Sequence, residues 1–199
     1  MRYITVLSLL LVNVLGCAVL NQPTFQIEPS QLSSMTNPQL VDGNLDTVST
    51  FAVSGRIEKK YRTFNGKGRD RNHAERRYTT QVDGTLRTHA VIKLNEPTYI
   101  SYVDIYPESR IPKLALTTTL EDPPRFESSF DVVRDKQHIN VEGKRPVRIN
   151  INREILYLRL TADGIEDRQN SIRDKKDKNK LIQIPLKGAE IREVKFFSR

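Results

Sequence analysis

The chain has 199 residues, 37% hydrophobic and 28% charged, with a formal net charge of +8, one cysteine and no tryptophan. A single cysteine excludes a disulfide framework, and past the amino-terminal segment no stretch is apolar enough to cross a bilayer as a helix. The length suits one domain with a sizeable core.

The chain opens with Arg2 and an apolar run from Ile4 to Val12, too short and wrongly flanked for a spanning helix and typical of a secretory signal. The following Val14-Leu15-Gly16-Cys17 resembles the lipobox of bacterial lipoproteins, with Leu15 in place of the more frequent Ala or Ser. The resemblance implies removal of residues 1–16 and acylation of Cys17, which would also explain a lone cysteine in an exported protein. Each buried CH₂ of the acyl chains contributes roughly 0.8 kcal/mol, so several chains hold the protein durably. Ala18, in the position where Asp would act as a retention signal, implies a lipid-anchored place in the outer membrane, facing the periplasm or the surface. Without Arg2 the charge falls from +8 to +7. Residues 17–37, with Pro23, Pro29 and many Ser, Thr, Asn and Gln, read as the lipidated cysteine and a polar spacer, and residues 38–199 as one domain.

The domain is a series of short β-type runs. Leu86–Leu94 and Ile100–Tyr106 come first, followed by Lys113–Thr119 and Phe126–Val133. Val147, Ile149 and Ile151 alternate with Arg148 and Asn150, and Leu156, Leu158 and Leu160 alternate with Tyr157 and Arg159, the pattern of half-buried strands. Leu181–Ile184 and Ala189–Phe197 complete the set. With no sustained helical period and frequent turn residues, the class predicted is all-β, a sandwich.

Four segments sharpen this. Leu40-Val41-Asp42-Gly43-Asn44-Leu45-Asp46-Thr47 resembles the opening Asp-Gly signature of discoidin-like (coagulation factor type C) domains. Gly188-Ala189-Glu190-Ile191-Arg192-Glu193-Val194 resembles their closing strand. Val91–Pro107 is similar to the middle pair of strands and Ile155–Leu160 to the penultimate one, in the family's order. The resemblance covers roughly residues 38–197 and implies a galactose-binding-like jelly-roll β-sandwich of about eight strands, with its first and last segments side by side.

The same resemblance implies a structural Ca²⁺ ion, which takes six to eight oxygen ligands. By position, Asp42 and Glu190 would supply carboxylates and Thr47 its hydroxyl and carbonyl. Backbone carbonyls of Leu40, Asn44 or Leu45, and Ala189 would complete the shell. Taken on the residues alone, Asp42-Gly43 equally makes a turn that Asp46 caps. The chain departs from the family in lacking the aromatic residue just after the threonine, and it offers only Tyr and Phe for stacking on a sugar ring.

Residues 56–77 hold nine Lys/Arg and three acids, a net of +6, so nearly all the excess charge lies there. They read as a basic insertion or loop whose Arg69, Arg71, His73, Arg76 and Arg77 would favour an anionic ligand, or else as a solvated loop. The stretch from Asp163 to Lys180 has six basic and five acidic residues and reads as a solvated loop. His73, His89 and His138 lie in separate segments without metal spacing, and there is no Gly-x-Ser-x-Gly elbow and no cysteine nucleophile, which disfavours catalysis. No nucleic-acid motif is present. The sequence therefore predicts a non-catalytic, membrane-tethered binding or adhesion module for a glycan or other anionic envelope component. The alternative is an accessory lipoprotein that docks on a protein partner in an envelope assembly.

Overall fold

The computed structural model describes residues 23–63, 76–84, 87–125, 129–139, 145–178 and 180–199. Cys17, Arg69, Arg71 and His73 lie outside them. Within them the chain forms β1 (Phe25–Gln26), β2 (Leu32–Ser33), β3 (Ser49–Thr50), β4 (Gly55–Thr63), β5 (Arg76–Gly84), β6 (Arg87–Pro107) and β7 (Ile111–Thr119). After these come β8 (Asp131–Ile139), β9 (Val147–Asp163), β10 (Ile165–Glu166), β11 (Ile172–Arg173), β12 (Leu181–Lys187) and β13 (Glu190–Ser198). Two single 3-10 turns, Pro29–Gln31 and Pro38–Leu40, are the helical elements among the described residues.

The strands build two antiparallel sheets. One has eight strands in the order β1-β13-β6-β9-β7-β8, with β2 added to β6 and β3 to β13. The other has five, in the order β10-β12-β4-β5 with β11 on β12. The all-β class, the two-sheet construction and the adjacency of the first and last segments all agree with the expected sandwich. The strand number is larger, because several strands are two-residue additions to the sheets.

Apolar alternation decides which face of each strand turns inward. Ile92, Ile100, Val103 and Ile105 of β6 join Leu114 and Leu116 of β7, Ile149, Leu158 and Leu160 of β9, and Val194 and Phe196 of β13 in one core. Phe51 and Phe196 are its largest fully buried side chains. A second, smaller cluster joins Ile57 to Ile184 and Leu186.

Four sequence expectations need correction. The runs 86–94 and 100–106 form one strand, β6, and the runs 147–151 and 155–160 form one strand, β9, because the two pair along nearly their whole lengths. The basic segment, expected as an insertion loop, is strand over Gly55–Thr63 and again over Arg76–Gly84, the two antiparallel from Gly55↔Gly84 to Thr63↔Arg76. Unbroken cross-strand pairing can hold charged residues in extended backbone, which a reading by hydrophobic alternation overlooks. In the stretch expected as a second solvated loop, β10 and β11 pair onto β12. Finally, residues 25–33, expected in the spacer, join the sheet: Phe25 stands opposite Ser198, Leu32 opposite Leu94, and Ile27 is buried.

Two irregularities between β6 and β9 shape the surface. At one, Ile151 and Asn152 stand opposite Ser101 alone, a β-bulge with Asn152 in the left-handed region at φ +52°. At the other, Leu94–Pro97 stand opposite the single Leu156, since the pairing steps from Lys93↔Tyr157 to Thr98↔Ile155. Pro97 has no N–H to give to a ladder, and Asn95, Glu96 and Pro97 are all exposed.

Candidate functional site

The loop from Asp42 to Thr47 is held by its own polar side chains. Gly43 adopts φ +76°, and a Cβ there would lie 2.9 Å from Pro29 Cγ, so both conformation and space require glycine. The Asn44 N–H donates to Asp42 Oδ1 at 2.8 Å, and the Asp46 N–H donates to Asn44 Oδ1 at 2.9 Å. The Thr47 hydroxyl lies 2.8 Å from Asp42 Oδ2 and 2.9 Å from the Asn44 carbonyl. Thus the structure gathers Asp42, Asn44 and Thr47 into one oxygen-rich turn.

The carboxylate facing this turn belongs to Glu193. It is 2% exposed, and its Oε2 has no hydrogen-bond partner. Burial pushes its carboxyl up to about 7, and the neighbouring Asp42 charge adds to the rise, while the Gly43 N–H and Lys195 oppose it. The backbone of Glu190, the residue expected in this place, is bonded to the turn between β6 and β7. Its N–H donates to Ser109 Oγ, and its carbonyl accepts from the Glu108 and Ser109 N–H groups. The Ala189 carbonyl accepts the Phe51 N–H at 2.9 Å. A register shift between Ile191 and Glu193 resets the alternation of β13, and Glu193 takes the position beside the loop. The signal for it in the sequence was the apolar pair Val194 and Phe196, whose inward spacing fixes the residues just before them.

A buried carboxylate oxygen with no partner, beside a second carboxylate, a threonine hydroxyl and turn carbonyls, is the donor chemistry of a hard divalent cation. Asp42 and Glu193 are the two carboxylates that would hold a Ca²⁺ ion here, with Glu193 in place of the expected Glu190. Among the described residues, no group of three or more His, Cys, Asp and Glu side chains comes together in a way that could hold a metal. His89 is exposed on β6 opposite Thr161, and His138 lies in β8.

The second feature is a cleft of about 440 Å³ created by the four-against-one irregularity of β6. Phe25, Ile27, Gln31, Leu94, Asn95, Glu96 and Thr98 line it. Phe25 is 56% exposed, so an aromatic face is open to solvent there. Asn95 Nδ2 donates to the Ser30 carbonyl at 3.3 Å and the Thr98 hydroxyl to the Glu96 carbonyl at 2.9 Å, which steadies both walls. An exposed ring, two side-chain amides, a hydroxyl and a carboxylate converge in one open depression. Among the described residues of the lining, Glu96 is the charged one. The sequence reading missed this site, because its residues come from the assumed spacer and from a turn between two assumed strands.

A third polar cluster is satisfied internally. Asp104, 5% exposed, takes two 2.8 Å hydrogen bonds from Arg148, one from Nε and one from Nη2. The Arg148 guanidinium lies 3.8 Å from the centre of the Tyr102 ring, which stacks on Phe197 at 4.6 Å. The hydrogen bonds to Asp104 raise the Arg148 pKa above its already high ordinary value. The pair and the stack join β9, β6 and β13 on one face of the sheet.

Of the basic residues expected to bind a ligand, Arg76 and Arg77 lie in β5, opposite Thr63 and Arg62. The lining of the cleft comes from β1, β6 and the turn between β1 and β2.

No family model and no curated protein matches this sequence. Solved structures with a similar course of the chain include CBM32-3 of a family 31 glycoside hydrolase from Clostridium perfringens, 16% identical with a TM-score of 0.49, covering 88% of this chain and 96% of that one. Another is the C-terminal domain of a chitobiase from Bacteroides fragilis, 11% identical with a TM-score of 0.49 over 86% of this chain and 96% of that one. A pectin-binding carbohydrate-binding module is 9% identical with a TM-score of 0.47, over 83% and 87%. These chains share little sequence with this protein, and the function argued next rests on its own residues.

Proposed function

We propose that the protein is a non-catalytic glycan-binding module held at the cell envelope by lipid on Cys17. The observation that carries the binding is the cleft: an exposed Phe25 ring beside Gln31, Asn95, Glu96 and Thr98. A pyranose offers an apolar C–H face to a ring and a fringe of hydroxyls to amide and carboxylate groups, so this combination suits a sugar. With a carboxylate and, among the described residues, no cation in its lining, the cleft suits a neutral sugar better than an acidic one. Ca²⁺, when bound by Asp42, Thr47 and Glu193, neutralises two adjoining carboxylates and ties the first loop of the domain to its last strand.

A panel of neutral oligosaccharides screened against the protein from residue 18 onward tests the binding. Phe25→Ala should weaken the best ligand by about tenfold, an aromatic contact being worth roughly 1–1.5 kcal/mol. Because Phe25 is more than half exposed, its loss should leave folding intact. Absence of any glycan ligand, or binding indifferent to Phe25, overturns the reading.

The anchor has its own test. In detergent phase separation of whole cells, the wild-type protein should enter the detergent phase and Cys17→Ser the aqueous phase. Equal partitioning would remove the lipid from the proposal.

A further inference from the structure

The side chains of the cleft have committed donors and left acceptors open. The Thr98 hydroxyl gives its one proton to the Glu96 carbonyl, and Asn95 gives one of its two amide protons to the Ser30 carbonyl. That leaves Asn95 Oδ1, Thr98 Oγ1 and the Glu96 carboxylate. Among the described residues, none of these three receives a hydrogen bond, and Glu96 enters no ion pair. Asn95 and Glu96 stand where the pairing of β6 with β9 is interrupted, and both are exposed. Glu28, also exposed, belongs to the same turn as Gln31, whose N–H its carbonyl accepts, so a second carboxylate belongs to that turn.

A ligand that suits such a lining brings donors and positive charge. An ammonium group has three donors and no acceptor, whereas an acetamido group adds an acceptor and a carboxylate or sulfate adds acceptors alone. The exposed ring of Phe25 adds attraction for a cation. We propose that the cleft selects an amino sugar with a free amine, and that Glu96 is the residue that reads the amine. This rests on the cleft being the glycan site. The Glu96 carboxylate takes the ammonium, the Asn95 and Thr98 oxygens take further protons from the amine or adjoining hydroxyls, and Phe25 is left for the C–H face of the ring.

Three β-1,4-linked pentamers, of glucosamine, N-acetylglucosamine and glucose, differ only at C2. Titrated into the protein from residue 18 onward at low salt and mildly acidic pH, where the amines are protonated, they test the proposal. The glucosamine pentamer should bind about fivefold more tightly than the other two, the upper end for an exposed ion pair, and added salt should erase the difference. Glu96→Gln keeps the shape of an exposed side chain, and it should bring the glucosamine pentamer down to the level of glucose while leaving glucose unchanged. Asp131→Asn, at an exposed position on β8, should behave as the wild type. Pentalysine should bind more weakly than the glucosamine pentamer. A glucosamine pentamer that binds no better than glucose, a preference that survives Glu96→Gln, or pentalysine binding as tightly overturns the proposal. In those cases Phe25-dependent binding of a neutral sugar leaves the glycan reading standing. If none of the three pentamers binds, the amino-sugar assignment is overturned, and the wider neutral panel decides the glycan reading by itself.

Discussion

Calcium should raise the melting temperature of the wild-type protein by roughly 5–10 °C, and it should leave that of Glu193→Gln nearly unchanged. An ion at about 100 times its dissociation constant stabilises by about 2.7 kcal/mol, and 1 kcal/mol moves the melting temperature of a domain this size by roughly 2–4 °C. The physical reason lies in the metal-free site, where the buried Glu193 carboxylate has an unpartnered oxygen and sits against Asp42. Glu193→Gln removes the charge but keeps the shape, so the variant should be more stable than wild type without metal and indifferent to it. Glu190→Gln should keep the wild-type response, since the carboxyl beside Asp42 is that of Glu193. A calcium response lost in Glu190→Gln and kept in Glu193→Gln would restore the assignment first read from sequence.

The same carboxyl sets a pH dependence. Its pKa rises from 4.5 in the unfolded chain to about 7 in the fold, so the unfolded state gives up this proton first. The metal-free protein should therefore lose stability as the pH rises from about 4.5 to 7, by up to roughly 3 kcal/mol, and be level above that. The neighbouring groups that face Glu193 are Asp42, Lys195 and the Gly43 N–H. Denaturant melts in the presence of a chelator measure the slope, which calcium should flatten. A stability that instead rises across this interval would mean that the carboxylate is well paired.

Gly188→Ala should be among the most damaging single substitutions in the domain. A Cβ at this position would lie 1.9 Å from the Phe51 carbonyl oxygen and 2.9 Å from its carbon. Both are backbone atoms, so no rotamer can relieve the clash. Phe51 is also one of the largest fully buried side chains, and its N–H is bonded to the Ala189 carbonyl. Moving the two segments apart would break that bond and open the core where β3 meets β13. The cost should be about 3 kcal/mol or more, the upper range for overpacking, lowering the melting temperature by roughly 10 °C. A variant within a degree or two of wild type would show that the two backbones can separate at little cost.

Much of the fold was legible in the residues themselves. Alternation in Val147, Ile149 and Ile151 marks inward and outward faces of a strand wherever that strand pairs, because side chains of extended backbone alternate by geometry alone. Asp42-Gly43 with Asn44 and Thr47 makes its turn from local hydrogen bonds, which these residue types form within a few positions of each other. The all-β class followed from many such local signals agreeing.

What tertiary structure decided was register. Whether Glu190 or Glu193 reaches Asp42 depends on a shift within β13 that exists only against β6. The cleft exists because four residues of β6 face one of β9, an imbalance between partners far apart in the chain. The basic segment became a ribbon because its two halves pair with each other, although neither half alternates as a half-buried strand does. Periodicity is a property of one segment, whereas a bulge, a cleft or a ribbon belongs to two. For this protein the sequence determined the strands and the loop chemistry, and the pairing of strands determined which side chains meet.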